Sequence, residues 1–97
     1  MTWHIHIKGQ VQGVGFRPFV YQLAQRHVLN GWVNNSSDGV HIEFNADQAA
    51  AEAFLDQISA SAPRLAQITE LAMGKTDDRE YTSFDIIHSH AQTEVNL

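Results

Sequence analysis

Trp3-His4-Ile5-His6-Ile7-Lys8-Gly9-Gln10-Val11-Gln12-Gly13-Val14-Gly15-Phe16-Arg17-Pro18 reads as a strand, a glycine-bearing loop and the start of a helix in immediate succession. Trp3, Ile5 and Ile7 alternate with His4, His6 and Lys8, which predicts a half-buried strand over 3–8 with one apolar face. The glycines at 9, 13 and 15 end it. Lacking a Cβ, they reach positive φ and let successive N–H groups turn inward as a nest for anionic oxygens. Pro18 suits the first turn of a helix, where its missing N–H has no cost. Phe16, Val20, Leu23, Ala24 and Val28, spaced at three and four, predict the apolar stripe of that helix. Arg17 then falls where loop amides, a helix N-terminus and a guanidinium can converge on one anion.

Two familiar glycine motifs are excluded. A Walker A loop needs Lys-Ser/Thr after its last glycine, and Gly15 is followed by Phe16-Arg17; a dinucleotide fingerprint needs a glycine where Pro18 stands. On residue types alone, a glycine-rich turn beside a solvated arginine remains the alternative to an anion cradle.

Outward from this stretch, Asn30-Gly31 reads as a helix stop with Gly31 at C′. Trp32-Val33-Asn34-Asn35 begins a second strand, Ser36-Ser37-Asp38-Gly39 a tight turn, and Val40-His41-Ile42-Glu43-Phe44 a cleanly alternating third strand. Asn45 is expected to cap a second helix with Gln48 at N3 and a stripe of Ala51, Phe54, Leu55 and Ile58; Pro63 ends it. Residues 65–74 predict a fourth strand, 75–80 a polar loop and 83–88 a last strand. The order β-α-β-β-α-β defines a ferredoxin-like α+β sandwich, two helices on one face of a four-stranded antiparallel sheet, with room for a short extra strand. Residues 1–90 make one domain, and 91–97 read as a tail or the start of a linker.

Composition narrows the function. The chain has 97 residues, no cysteine and a net charge of −5. Residues 1–37 carry Lys8, Arg17 and Arg26 and no acid, whereas all 11 Asp and Glu follow from Asp38 onward. A small anion fits that polarity better than a long phosphate backbone. With no apolar span and no signal peptide visible, the cytoplasm is the expected location. His4 and His6, and His88 and His90, share strand faces at i,i+2, but no third clustered ligand accompanies them in sequence, so no metal site is expected. Trp32 on an open sheet face invites an RNA reading, which the acidic balance and the outward His41 and Glu43 oppose.

Val11-Gln12-Gly13-Val14-Gly15-Phe16-Arg17, together with Gly31-Trp32-Val33-Asn34-Asn35-Ser36-Ser37-Asp38-Gly39-Val40, resembles the acylphosphatase family over roughly residues 3–88. Gly15-Phe16-Arg17-Pro18-Phe19-Val20 is most similar to the N-terminal acylphosphatase-like domain of hydrogenase maturation carbamoyltransferases. The resemblance implies Arg17 on the substrate phosphate, Asn35 beside the attacking water, and a cradle of backbone amides from Gln12, Gly13, Val14, Gly15, Phe16 and Arg17. Alternation adds an independent check, since Asn35 shares a sheet face with Val33 while Asn34 shares the other with Trp32. The resemblance further implies carbamoyl phosphate as substrate, hydrolysed to carbamate and phosphate, no cofactor in this domain, and partners in the remaining domains of a larger enzyme and its hydrogenase-maturation partner protein. A free-standing acylphosphatase and a non-catalytic phosphate-binding domain are the alternatives.

Overall fold

A computed structural model describes residues 1–87; the expected tail at 91–97, and His88 and His90, lie outside them. The elements are β1 (Thr2–Gln10), α1 (Phe16–Arg26), β2 (Asn30–Ser36), β3 (Gly39–Asn45), α2 (Gln48–Ser61), β4 (Gln67–Thr76) and β5 (Phe84–Ile87). The sheet order is β4-β1-β3-β2-β5. The first four strands pair antiparallel in the ferredoxin-like arrangement, and β5 adds parallel to β2, so the sheet is mixed rather than wholly antiparallel.

Alternation sorts the two faces. Ile5 and Ile7 of β1, Val33 of β2, and Val40, Ile42 and Phe44 of β3 point toward the helices and are fully buried. Phe16, Val20, Leu23 and Ala24 of α1 and Ala51, Phe54 and Ile58 of α2 close over them. Phe44 and Phe54 meet edge-to-face at 5.0 Å, joining the sheet to α2. The opposite face carries His4, His6, His41 and Glu43.

Several local expectations give way to nonlocal contacts. Gly31 lies within β2 and is not a helix cap; a Cβ there would stand 1.9 Å from the Glu43 carbonyl oxygen. Gly9 belongs to β1 beside a register shift, where a Cβ would meet the Gln67 carbonyl oxygen at 2.0 Å. Asp47, not Asn45, caps α2, its side chain accepting from the Ala50 N–H at 2.8 Å. Asn45 instead holds the segment between β4 and β5, which crosses one end of the sheet. Its Oδ1 accepts from the Tyr81 N–H, its Nδ2 donates to the Arg79 carbonyl, and the Arg79 N–H donates to Thr2 Oγ1. The Gly31 N–H donates to the Ser83 carbonyl and delivers the chain to β5.

α1 stops earlier than its apolar spacing predicts. Val28 is no part of the stripe; it is 87% exposed with φ 56°. The Leu29 N–H donates to the Ala24 carbonyl and the Val28 N–H to the Gln25 carbonyl, a Schellman closure that puts Val28 at the left-handed C′ position. A β-branched residue there is strained by roughly 1–2 kcal/mol. Val28→Gly is therefore expected to raise stability by about 0.5–1 kcal/mol after glycine's own entropy cost, read as a higher urea midpoint at unchanged slope.

Candidate active site

The loop between β1 and α1 and the far end of β2 lie at the same end of the sheet. Gln12 joins them, its Nε2 donating to the Ser36 carbonyl next to Asn35. Gly13 and Gly15 have φ of 75° and 78°, and a Cβ at either would face open space, so backbone conformation alone demands glycine there. Gly15 is the N-cap of α1. It supplies no side-chain acceptor, and the first turn contains no acid. The positive end of the helix dipole is thus left for an anion to meet.

Arg17 is the second residue of α1, half-buried, and forms no ion pair among the described residues. Phe16 beside it is buried and packs edge-to-face on Phe19, which anchors the start of the helix. Val14 packs against the core. Gln12, Gly13 and Gly15 are exposed, so the cradle pairs a fixed base with an open mouth.

Asn35 pairs with Val40 in the β2–β3 ladder, on the parity of fully buried Val33. Its Oδ1 is buried and has no hydrogen-bond partner, the one such side-chain atom among the described residues. A buried carbonyl oxygen without a partner costs about 1–3 kcal/mol. Such a cost marks a position where a further donor is expected, and a water molecule supplies two. Asn34 points to the other face, where its Nδ2 donates to the Ile87 carbonyl.

On that other face Glu43 is buried beneath the crossing segment. Burial pushes its carboxyl upward, but hydrogen bonds from His4 and Tyr81, with the charges of His4 and Arg79, outweigh this and hold it below its ordinary value. A depressed carboxyl stabilises the fold above its unfolded pKa and loses that contribution as pH falls through the folded one. The unfolding midpoint is expected to drop on acidification below the ordinary glutamate range, and Glu43→Gln to flatten that dependence in urea titrations between about pH 3 and 7. Sequence reading missed this network; the matched parity of His4, Glu43 and Trp32 was its only signal.

The acylphosphatase family model matches residues 3–86. A carbamoyltransferase HypF from Synechocystis sp. is 44% identical over 88% of this chain and 11% of its own. An acylphosphatase from Oceanobacillus iheyensis is 36% identical over 84% of this chain and 92% of its own. Among solved structures, full-length HypF in a phosphate- and nucleotide-bound form superposes with a TM-score of 0.85 at 41% identity, over 89% of this chain and 11% of that one. The acylphosphatase from Bacillus subtilis gives 0.81 at 31% identity, over 89% and 97%. The chain belongs to the acylphosphatase family and is an acylphosphatase-type hydrolase. It is similar both to the free-standing enzymes and to HypF, of whose length it spans about a tenth. No helix among the described residues is long and apolar enough to cross a membrane.

Proposed function

We propose that this chain hydrolyses acyl phosphates, carbamoyl phosphate foremost, to carbamate and phosphate, in the manner of the N-terminal domain of a hydrogenase maturation carbamoyltransferase. The observation that carries the reading is the unpartnered, buried Oδ1 of Asn35 at the end of the sheet tied by Gln12 to the glycine loop. Arg17 grips two phosphoryl oxygens and the amides of residues 12–17 take the third. Asn35 accepts a hydrogen bond from the attacking water and aligns it with phosphorus.

As the water oxygen bonds to phosphorus, the bond from phosphorus to the acyl oxygen breaks and its electron pair leaves on carbamate. The carboxamide of Asn35 is no base, so the water proton passes to a phosphoryl oxygen. Carbamate departs as a stabilised anion, and the loose transition state asks mainly for positioning and charge. The carbamate and the later steps of carbamoyl transfer would belong to further domains and to the partner protein they serve.

Higher identity to the Synechocystis HypF than to the Oceanobacillus acylphosphatase over similar shares of the chain, together with the run Arg17-Pro18-Phe19-Val20, favours carbamoyl phosphate. The 36% identity to the Oceanobacillus acylphosphatase supports a broad acyl-phosphate specificity as the second reading. Phosphate release from carbamoyl and acetyl phosphate separates them. The proposal expects kcat/KM for carbamoyl phosphate to exceed that for acetyl phosphate by about tenfold, a difference of about 1.4 kcal/mol in transition-state binding. Equal values point to the broad enzyme.

A further inference from the structure

The amides of the cradle do not hold the cradle together. The Val11 N–H donates to the Gly9 carbonyl and the Phe19 N–H to the Gly15 carbonyl, but among the described residues no backbone N–H from 12 to 17 donates to a backbone carbonyl. An anion site needs those donors free, and a loop whose N–H groups are free has no ladder to fix its shape. Gly13 and Gly15 loosen it further, because glycine has more conformational freedom to lose on folding than any other residue. Val11 and Phe16 are buried at its two ends, and Val14 packs against the core. Among the described residues, the hydrogen bond that leaves this loop for another element comes from the Gln12 side chain, whose Nε2 donates to the Ser36 carbonyl.

The receiving end is anchored independently. Ser36 closes β2 opposite Gly39, and its hydroxyl donates to Asp38 Oδ1, which also lies 3.0 Å from His41 Nε2. From β1, His6 Nε2 donates to the Asp38 carbonyl at 2.8 Å. A Cβ on Gly39 would stand 2.1 Å from the Ile7 carbonyl oxygen, so the turn sits tightly on β1. Gln12 therefore ties a soft loop to a firm turn, and the tie falls one residue beyond Asn35, which is in register with Val40 in the same ladder. Gln12 is exposed, so this bond adds little to stability. Its value is geometric, because the Asn35 carboxamide and the cradle amides lie on different elements.

We propose that, on the hydrolytic reading above, the Gln12 side chain is a positioning residue that acts through Asn35: it sets the distance between the phosphate cradle and the water that Asn35 aligns. That reading uses the Gln12 amide; the side chain has this second role. Attack on phosphorus needs the reacting atoms about 3–3.5 Å apart, and a misplacement of about 1 Å costs on the order of a hundredfold in rate. With Nε2 committed to Ser36, Gln12 contributes alignment rather than charge or a proton.

Gln12→Met keeps the length of the side chain and removes its donor. The test compares hydrolysis by wild type, Gln12→Met, Asn35→Ala and the double variant, using whichever of carbamoyl and acetyl phosphate the wild type turns over faster. ¹⁵N relaxation of the backbone amides is measured in wild type and Gln12→Met. kcat is expected to fall by about ten- to a hundredfold in Gln12→Met, with inhibition by inorganic phosphate unchanged within about threefold and Tm within a few degrees. In the Asn35→Ala background the same substitution should cost less than about threefold, because no aligned water is left to misplace. Amides 13–15 should gain nanosecond mobility in Gln12→Met, while those of 36–39, held by His6, keep theirs. Equal losses in the two backgrounds would assign Gln12 to the phosphoryl group or to the fold, an unchanged kcat would leave the side chain idle, and loop amides as rigid as in wild type would remove the tie; each overturns the proposal. A wild-type chain that hydrolyses neither substrate marks the separate failure of the hydrolytic reading, and the proposal falls with it.

Discussion

Arg17→Ala is expected to lower kcat/KM for acyl-phosphate hydrolysis by about two to three orders of magnitude while leaving Tm within a few degrees of wild type. The guanidinium is the cation nearest the amide cradle in sequence, on the first turn of α1, and no acid occupies that turn to neutralise it. Removing it takes two charge-assisted hydrogen bonds from the phosphoryl group, whose charge is spread over its three equatorial oxygens in the transition state. Stability is spared because Arg17 has no ion-pair partner among the described residues to be left orphaned. Arg17→Lys should recover only part of the rate, since a point charge cannot reproduce the planar fork. Inorganic phosphate binding, followed by calorimetry, should weaken in parallel. An alanine variant that hydrolyses at the wild-type rate would remove Arg17 from the mechanism.

Asn35→Ala is expected to behave differently. kcat should fall by about two orders of magnitude, with phosphate affinity unchanged within roughly threefold, because Asn35 acts on the water and not on the phosphoryl group. Stability should hold or rise by about 1 kcal/mol, because the variant deletes a buried acceptor that has no partner in the folded chain. That combination of lost turnover and undiminished stability distinguishes a functional carboxamide from a structural one. Asn35→Asp should add a second defect. A carboxylate beside the phosphoryl group repels the dianion and raises KM. Urea denaturation alongside steady-state kinetics reads both quantities, and a destabilised Asn35→Ala variant with normal kcat would reverse the assignment.

Much of this was legible in the chain because alternation and helical spacing are local signals. β1, β3 and the burial of Phe16, Val20, Leu23 and Ala24 follow from them directly. The face of Asn35 was legible for the same reason, from its parity with Val33. What escaped depends on contacts between distant residues. Gly31 reads locally as a helix stop, yet its requirement is the Glu43 carbonyl of the adjacent strand. Asn45 reads as a helix cap, yet its carboxamide bonds to Thr2, Arg79 and Tyr81. Spacing carries the α1 stripe one step too far, to Val28, because periodicity does not report where backbone hydrogen bonding turns over into a left-handed cap. β4 lies at the edge of the sheet and is largely exposed, so its alternation is weak, and it runs Gln67–Thr76 where 65–74 was expected. Four residues of β5 contain no statement of which edge they join or in which direction.

The glycine positions divide along the same line. At Gly13 and Gly15 the requirement is a positive φ with open space around it, which is what a backbone anion site needs. At Gly9, Gly31 and Gly39 it is close approach to another strand. Only the first pair belongs to the candidate site, and the surrounding loop chemistry was what singled it out.

Turnover of carbamoyl phosphate in ¹⁸O-water tests the central claim most directly. Water aligned by Asn35 on a phosphoryl group held by Arg17 attacks phosphorus, so the account predicts one ¹⁸O in each phosphate released, at a rate well above spontaneous decomposition. Unlabelled phosphate would place the attack on the carbamoyl carbon, and release no faster than without the protein would leave the cradle a binding site only.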